Sequence, residues 1–407
     1  MEQALFIQAR RRRRRRWLAG IAAVLVGSAV VTVVIVTWPH RASGQDADRP
    51  GVAGTGLAAR SSGGAAVWYD GIHLRVGSVH PDGQVIQRAG PEVNADLLPL
   101  VPAGGRIYWV NPMGGAVPFM PYRAWYPKIV QYLDRATGKI GIAGPGSTAF
   151  LSANGRYLLM AQDATTLGEL PVAGGALRQL TLPPGWYLPG GDGLPGLDYP
   201  GLATANGVIV QSRESGESYP QVFGLWNPGS HTVRVLGRAL AIIAAYTPPG
   251  ARSSLLAWLP AACPFPDNCL LNITSTATLA TRTVRSPMPG GFAIGGAFSP
   301  DGTQLAVFPQ TLPHGMAPAY ARLALVVPRT GAVRVAPRPR ITLGEDLGWA
   351  LWLPDGRHLI VGPCPGSCLV ESATLSARPL FLAPSRGHHV SNGLDVNFTA
   401  AMLSPGP

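Results

Sequence analysis

Residues Gly296 to Phe308 read GAFSPDGTQLAVF: an apolar run, a Ser-Pro-Asp-Gly turn and a second apolar run. Short apolar segments bounded by turn residues predict strands, and an Asp-Gly pair between them predicts a hairpin. Such a turn needs positive φ, which glycine adopts without a Cβ penalty and Asn or Asp tolerates. The stretch has relatives. AFSPDGTQLAVF (297–308) matches LWLPDGRHLIVG (351–362) and AFLSANGRYLLMA (149–161), with weaker copies in LVPAGGRIYWV (100–110), LATANGVIVQ (202–211) and TPPGARSSLLAW (247–258). The turn glycines Gly105, Gly155, Gly207, Gly250, Gly302 and Gly356 recur at near-even intervals, as repeat units of fixed length would place them.

A second kind of hairpin follows each of the first. Examples are HLRVGSVHPDGQVIQ (73–87), IVQYLDRATGKIGIA (129–143), LALVVPRTGAVRVAP (323–337) and LVESATLSARPLFLA (369–383). Two hairpins per unit make four strands, and a four-stranded sheet repeating roughly every 40–50 residues is the blade of a β-propeller. No long segment shows a 3.6-residue apolar period, so the body is expected to be all-β. The expectation is seven blades, with six as the alternative. Near residue 65 only VWYDG (67–71) stands where a first hairpin belongs, and 389–402 (HVSNGLDVNFTAAM) is the candidate to supply the missing strand.

The turn phrases Phe298-Ser299-Pro300-Asp301-Gly302 and Leu353-Pro354-Asp355-Gly356 resemble the WD40-like repeat of the TolB propeller group. The strong copies cover only a small part of the chain, and the spacing extends the likeness over 65–402. The resemblance implies a propeller in an extracytoplasmic setting. It implies no particular activity, because one fold hosts many functions.

The N-terminus predicts a membrane anchor. Arg10 to Arg16 are seven consecutive arginines, and Trp17 to Trp38 (WLAGIAAVLVGSAVVTVVIVTW) contains no charged residue. About 20 apolar residues span a bilayer, and cationic flanks stay cytoplasmic. The expected organisation is a basic cytoplasmic tail (1–16), a transmembrane helix (17–38), a flexible linker (39–64) and the propeller (65–407), held outside a bacterial cytoplasmic membrane. A cleaved signal peptide has a shorter apolar stretch than this segment, which favours an uncleaved signal-anchor. Seven arginines and one glutamate between Met1 and Arg16 account for half of the formal net charge of +12. That basic cluster suits anionic lipid headgroups, and nucleic acid is not expected as a partner.

Cys263 and Cys269 (CPFPDNC) and Cys364 and Cys368 (CPGSC) fall at the same place in two repeat units. Outside the membrane an even count reads as disulfides, each closing a short loop. Zinc needs tighter spacing than Cys-x₅-Cys, so no metal is assigned, and no cofactor either.

The sequence holds no G-x-S-x-G, H-E-x-x-H or P-loop motif, so no catalytic residue is assigned and the chain is expected not to be an enzyme. Asp301 and Asp355 read as turn residues. In a four-stranded blade the first and third turns share one face, and the second connection and the passage between blades share the other. The long segments 111–127, 183–201, 212–221, 309–321 and 384–392 and both cysteine loops fall on that second face. They carry Phe119, Tyr122, Trp125, Tyr126, Trp186, Tyr187, Tyr199 and Tyr219, with His388 and His389 beside them. Aromatic residues on loops suit recognition, so these ten are the candidate binding residues. The expected role is a binding or scaffold module for an envelope protein or a wall-derived ligand; the alternative is a lyase or hydrolase acting on glycan or peptide.

Overall fold

A computed structural model describes residues 64–69, 74–80, 83–88, 100–111, 128–188, 203–212, 221–248, 250–261, 270–311, 319–343, 349–362, 367–382 and 401–402. Among them no helix is long and apolar enough to cross a membrane. The segment 17–38, the tail and residues 39–63 of the linker lie outside the described residues; Gly64, assigned to the linker, instead opens the first strand.

Local chemistry fixes the repeating turn. Ser299 N–H donates to the Gln304 carbonyl at 2.8 Å, Gly302 N–H to the Ser299 carbonyl at 2.8 Å, and Gln304 N–H to Ser299 Oγ at 3.0 Å. Asp301 Oδ1 accepts from Ser299 Oγ, Thr303 N–H and the Thr303 hydroxyl at 2.6 to 3.1 Å. The sister turns Ser152–Tyr157 and Leu353–His358 repeat the plan, with Asn154 Oδ1 taking Arg156 N–H at 3.0 Å and Asp355 Oδ1 taking Arg357 N–H at 2.8 Å. Only the glycine is left-handed in each turn: φ is 67° at Gly155, 69° at Gly302 and 64° at Gly356. The acidic or amide residue does not share the positive φ that the sequence suggested. Its side chain caps the amide two residues on, which holds it in an ordinary conformation and leaves the reversal to glycine. The tight two-residue version occurs at Ala103–Arg106, where Gly104 and Gly105 are both left-handed, at 54° and 75°.

These turns join strands into antiparallel sheets. Three sheets of four strands run over Val101–Pro145, Thr148–Thr181 and Trp349–Pro379, and a fourth runs from Phe292 to Leu343. Between them lies an eight-stranded sheet, made of two four-stranded units that share one strand, the inner strand of the first unit coming in two pieces, Trp186–Tyr187 and Ala203–Thr204, both against Gly207–Ser212. Thr232–Tyr246 is outermost against Gln221–Asn227 in its first half and innermost against Leu255–Pro260 in its second. The change of role is visible in its side chains: Arg234 and Val235 face solvent, whereas Ala239 and Ala241 through Ala244 are buried.

A fifth group brings distant parts of the chain together. Gly64–Tyr69, Leu74–Val79 and Gln84–Arg88 form a meander, with Ala401–Met402 antiparallel to Gly64–Tyr69 on one edge and Phe381–Leu382 parallel to Gln84–Arg88 on the other. Ala401–Met402 also lies against Val101–Ala103 and Trp349–Trp352, so this sheet sits between the 101–145 and 349–379 sheets.

Apolar layers fill the spaces between successive sheets. Tyr108, Val110 and Val130 meet Leu158 and Met160; Leu159 and Leu167 meet Val208, Val210 and Trp226. Ile209 and Phe223 meet Ile242 and Leu256, and Ile273 meets Leu305 and Val307. Ala306 and Phe308, the alternate residues of that last strand, turn the other way onto Trp352 and Val361. A strand covered on both faces is apolar throughout, which is why LAVF and LIVG lack polar alternation. Antiparallel four-stranded sheets packed face to face and joined end to start are the architecture of a β-propeller.

Arginines tie the outer edges together at one register. Arg234 Nη2 donates to the Ala277 carbonyl at 3.0 Å, Arg282 Nη1 to Thr330 at 3.5 Å, and Arg334 to both Ala373 and Ser372 at 2.8 Å. Each belongs to the outermost strand of one four-stranded unit and reaches the third turn of the next.

The turn glycines differ in their surroundings. A Cβ at Gly356 meets nothing, whereas one at Gly302 would overlap the Tyr246 ring of the neighbouring unit. Gly356→Ala is therefore expected to cost about 1–2 kcal/mol through backbone strain alone. Gly302→Ala is expected to cost about 1–3 kcal/mol more by displacing Tyr246. Chemical denaturation of the two variants checks the order, and equal losses would contradict it.

Candidate functional site

Strand parity sorts the connections. The described strands Val101–Ala103 and Arg106–Asn111, and their equivalents in each unit, are joined on one rim by short turns. The links between second and third strands, 112–127, 213–220, 262–269, 312–318 and 363–366, all leave from the opposite rim. The first rim is a turn rim and the second a loop rim.

Of the ten candidate binding residues, Phe119, Tyr122, Trp125, Tyr126, Tyr199, Tyr219, His388 and His389 lie outside the described residues. Trp186 and Tyr187 are described and form a two-residue strand paired with Ser212 and Gln211 at the loop-rim end. Trp186 is half-buried against the layer of Leu167, Val208 and Trp226. Its ring lies across Gly224, where a Cβ would come within 3.1 Å of it. One face of this tryptophan is thus committed to the wall of the sheet.

Cys368 is disulfide-bonded and buried. Cys263, Cys269 and Cys364 lie outside the described residues.

The turn carboxylates are occupied by their own backbones. Asp134 is held below the ordinary aspartate value by the Thr137 N–H, the Thr137 hydroxyl and the Ala136 N–H. For Asp301 burial pushes upward, but the Ser299 hydroxyl and the Thr303 N–H and hydroxyl outweigh it, and the net shift is down. Asp355 follows the same pattern, with the His358 ring at 2.7 Å as its strongest hydrogen-bonding partner. Groups stabilised as anions by several local donors are poor proton acceptors in a reaction. Among the described residues no group of three His, Cys, Asp or Glu side chains converges as a metal site would require.

A cleft of about 430 Å³ opens on the turn rim between the 148–181 sheet and the strands Gly207–Ser212 and Gln221–Asn227. Leu159, Leu167, Leu180 and Val208 are its apolar lining, and Asn154, Tyr157, Glu169, Thr204, Asn206 and Asn227 its polar lining. Tyr157, Leu159, Leu167 and Glu169 share one wall because they alternate on the same face of two paired strands. Glu169 Oε2 is held by Arg178, at 2.8 Å from Nε and 2.5 Å from Nη2. The sequence assigned this rim no site, because the cleft depends on how two sheets splay and on no local motif.

No family model matches the chain, and neither does any curated protein. Solved propellers do. Oligogalacturonate lyase in complex with manganese is 11% identical, with a TM-score of 0.48 over 78% of this chain and 83% of that one. An oligogalacturonate lyase from Vibrio parahaemolyticus is 9% identical, with a TM-score of 0.46 over 78% and 84%. TolB from Acinetobacter baumannii is 12% identical, with a TM-score of 0.42 over 69% and 65%. At these identities, and with every TM-score below 0.5, the likenesses assign nothing to this chain, and the fold rests on its own sheets and their packing. The expectation that the chain is not an enzyme is corrected: similar structures include lyases, so missing hydrolase and phosphate-loop motifs do not set a propeller apart from enzymes.

The lowered aspartate values carry a pH dependence. A carboxyl whose folded pKa lies below its unfolded value of about 3.9 gives its full stabilisation above that value, and the contribution is lost as pH falls below it. Asp301→Asn keeps the capping oxygen, as Asn154 does in the sister turn, but no longer titrates. Thermal unfolding between pH 2 and 7 is expected to show a shallower loss below about pH 4 in this variant than in the parent; parallel curves would contradict the assignment.

Proposed function

We propose that the chain is a seven-bladed β-propeller, anchored by the 17–38 segment on the outer side of a bacterial cytoplasmic membrane, which captures an envelope glycan or peptide on its loop rim. The blade number comes from counting the eight-stranded sheet as two units and the sheet holding Ala401–Met402 as one. Local pairings Cys263–Cys269 and Cys364–Cys368 belong to the same proposal, each shaping one loop of that rim.

The observation that carries the reading is where the long second-to-third connections leave the sheets. The links 112–127, 213–220, 262–269 and 312–318 all leave from the loop rim, beside the short 162–165 and 363–366, whereas the turn rim carries tight turns and one longer link, 247–254. Loops projecting from a rigid scaffold are where binding groups concentrate. Aromatic residues such as Trp125 and Tyr126 in the longest of them suit sugar rings and peptide side chains.

Turnover of the captured ligand, by lyase or hydrolase chemistry, is the second reading. The same connections favour it, because they leave one rim from several units, and a composite active site draws its residues from several units.

The test is incubation of the full chain, in detergent, with a cell-wall digest and a peptide mixture, followed by mass spectrometry of the retained and released material. The proposal expects retention of a defined fragment, reduced at least about tenfold by Trp125→Ala, the scale of a binding hot spot. Shortened or unsaturated products would select the enzymatic reading. Material neither retained nor altered would overturn both.

A further inference from the structure

We infer that the turn-rim cleft is a second binding site and that it takes a short uncharged saccharide. The inference stands apart from the loop-rim function, since it rests on a different rim and different residues.

The donors and acceptors in the cleft are unusually well defined. Asn154 Oδ1 is engaged by the Ser152 hydroxyl at 2.8 Å and the Arg156 N–H at 3.0 Å, and Asn227 Oδ1 by the Gly229 N–H at 2.9 Å. These contacts fix which end of each carboxamide is nitrogen. Both Nδ2 groups are therefore available donors, one on each side of the cleft, because Asn154 belongs to the 148–181 sheet and Asn227 to the facing one. Both contacts of Arg178 go to Glu169 Oε2, so Oε1 is left to accept. Tyr157 adds a phenol and a ring beside the leucines of the lining.

A sugar matches this set. Its hydroxyls accept from the two amides and donate to the carboxylate, while its C–H face rests on Tyr157 and the leucines. The volume falls in the range of roughly 300–1,000 Å³ typical of small-ligand sites. An anionic sugar fits less well, because the one charged group of the lining is a carboxylate, whose cation Arg178 points outward with 65% of its side chain exposed. An extended peptide finds little edge to join: Tyr157–Ala161 and Gly207–Ser212 are paired on both sides, and the edge strand Arg178–Thr181 gives the cleft only Leu180.

The turn repeat supplies clean variants. Asp stands at the position of Asn154 in the sister turn (Asp301) and caps the turn at Asp134 as Asn227 does in its own unit. Asn154→Asp and Asn227→Asp thus keep the capping oxygens, turn the two donors into acceptors and add two negative charges beside Glu169, a change that weakens a neutral sugar through the lost donors and an anionic one further through repulsion. The probes are chitobiose and maltose, with digalacturonate and a neutral tripeptide as controls. They are titrated into the full chain in a detergent without a sugar headgroup and followed by saturation-transfer NMR and calorimetry. We expect at least one neutral disaccharide to bind, with digalacturonate at least tenfold weaker. The double variant is expected to lose at least tenfold in affinity with an unchanged unfolding midpoint, and Tyr157→Phe to lose several-fold. Absence of binding by both neutral disaccharides, preference for digalacturonate or the tripeptide, or affinity unchanged in both the double variant and Tyr157→Phe would each overturn the inference.

Discussion

The described four-stranded units between Val101 and Pro379 pack apolar side chains on both faces, and no sheet of that kind is stable in water alone. Leu305 and Val307 face one neighbour while Ala306 and Phe308 face the other, and the same division recurs at Leu158, Leu159, Met160 and Ala161. Each sheet must be covered twice, so a row of them has two exposed ends unless it closes. Pairing of Ala401–Met402 with Gly64–Tyr69, in contact with both flanking sheets, is what removes those ends. The turns are fixed locally, but the contacts between units and the cleft follow from that packing.

Closure by packing leaves the outer edges to be held by polar contacts. The arginines at 234, 282 and 334 meet carbonyls of the following turn, where a guanidinium can satisfy groups that no strand reaches. Near the inner strands of the eight-stranded sheet the links are hydroxyls and amides: Asn206 bonds Arg252 and Thr276, and Ser254 bonds Ala205 and Thr247. Apolar layers thus set the spacing of the sheets, and these outer and inner hydrogen bonds set their rotation against one another. The cleft lies where the two facing sheets part, with Asn206 and Thr247 in its lining.

What could be read from the sequence was what local chemistry determines. Ser299-Pro300-Asp301-Gly302 announces its turn because capping and left-handed backbone are both decided between Ser299 and Gln304. The unit that runs from Thr232 to Pro260 was harder, because one continuous strand replaces a blade-to-blade loop. Its only sequence trace is the shift from the polar-alternating Thr232–Arg238 to the small apolar run Ala239–Ala245. Gly250, read as the centre of a hairpin, does lie in the loop that joins the antiparallel strands Thr232–Tyr246 and Leu255–Pro260, with φ at 72°. Trp186 looked like a loop aromatic, yet the glycine it covers, Gly224, belongs to a strand much further along the chain. The arginine register was invisible for the same reason: each partner sits in the following unit, and only the folded ring brings them together.

The most direct measurement of the central claim is hydrogen exchange by mass spectrometry on the full chain and on a chain shortened by removal of 401–407. Closure through the last strand predicts faster exchange in Gly64–Tyr69 and in the flanking Val101–Asn111 and Trp349–Trp352, with little change in Thr148–Thr181. Unchanged exchange at Gly64–Tyr69 would show that the sheets hold together without that strand, and would contradict closure through Ala401–Met402.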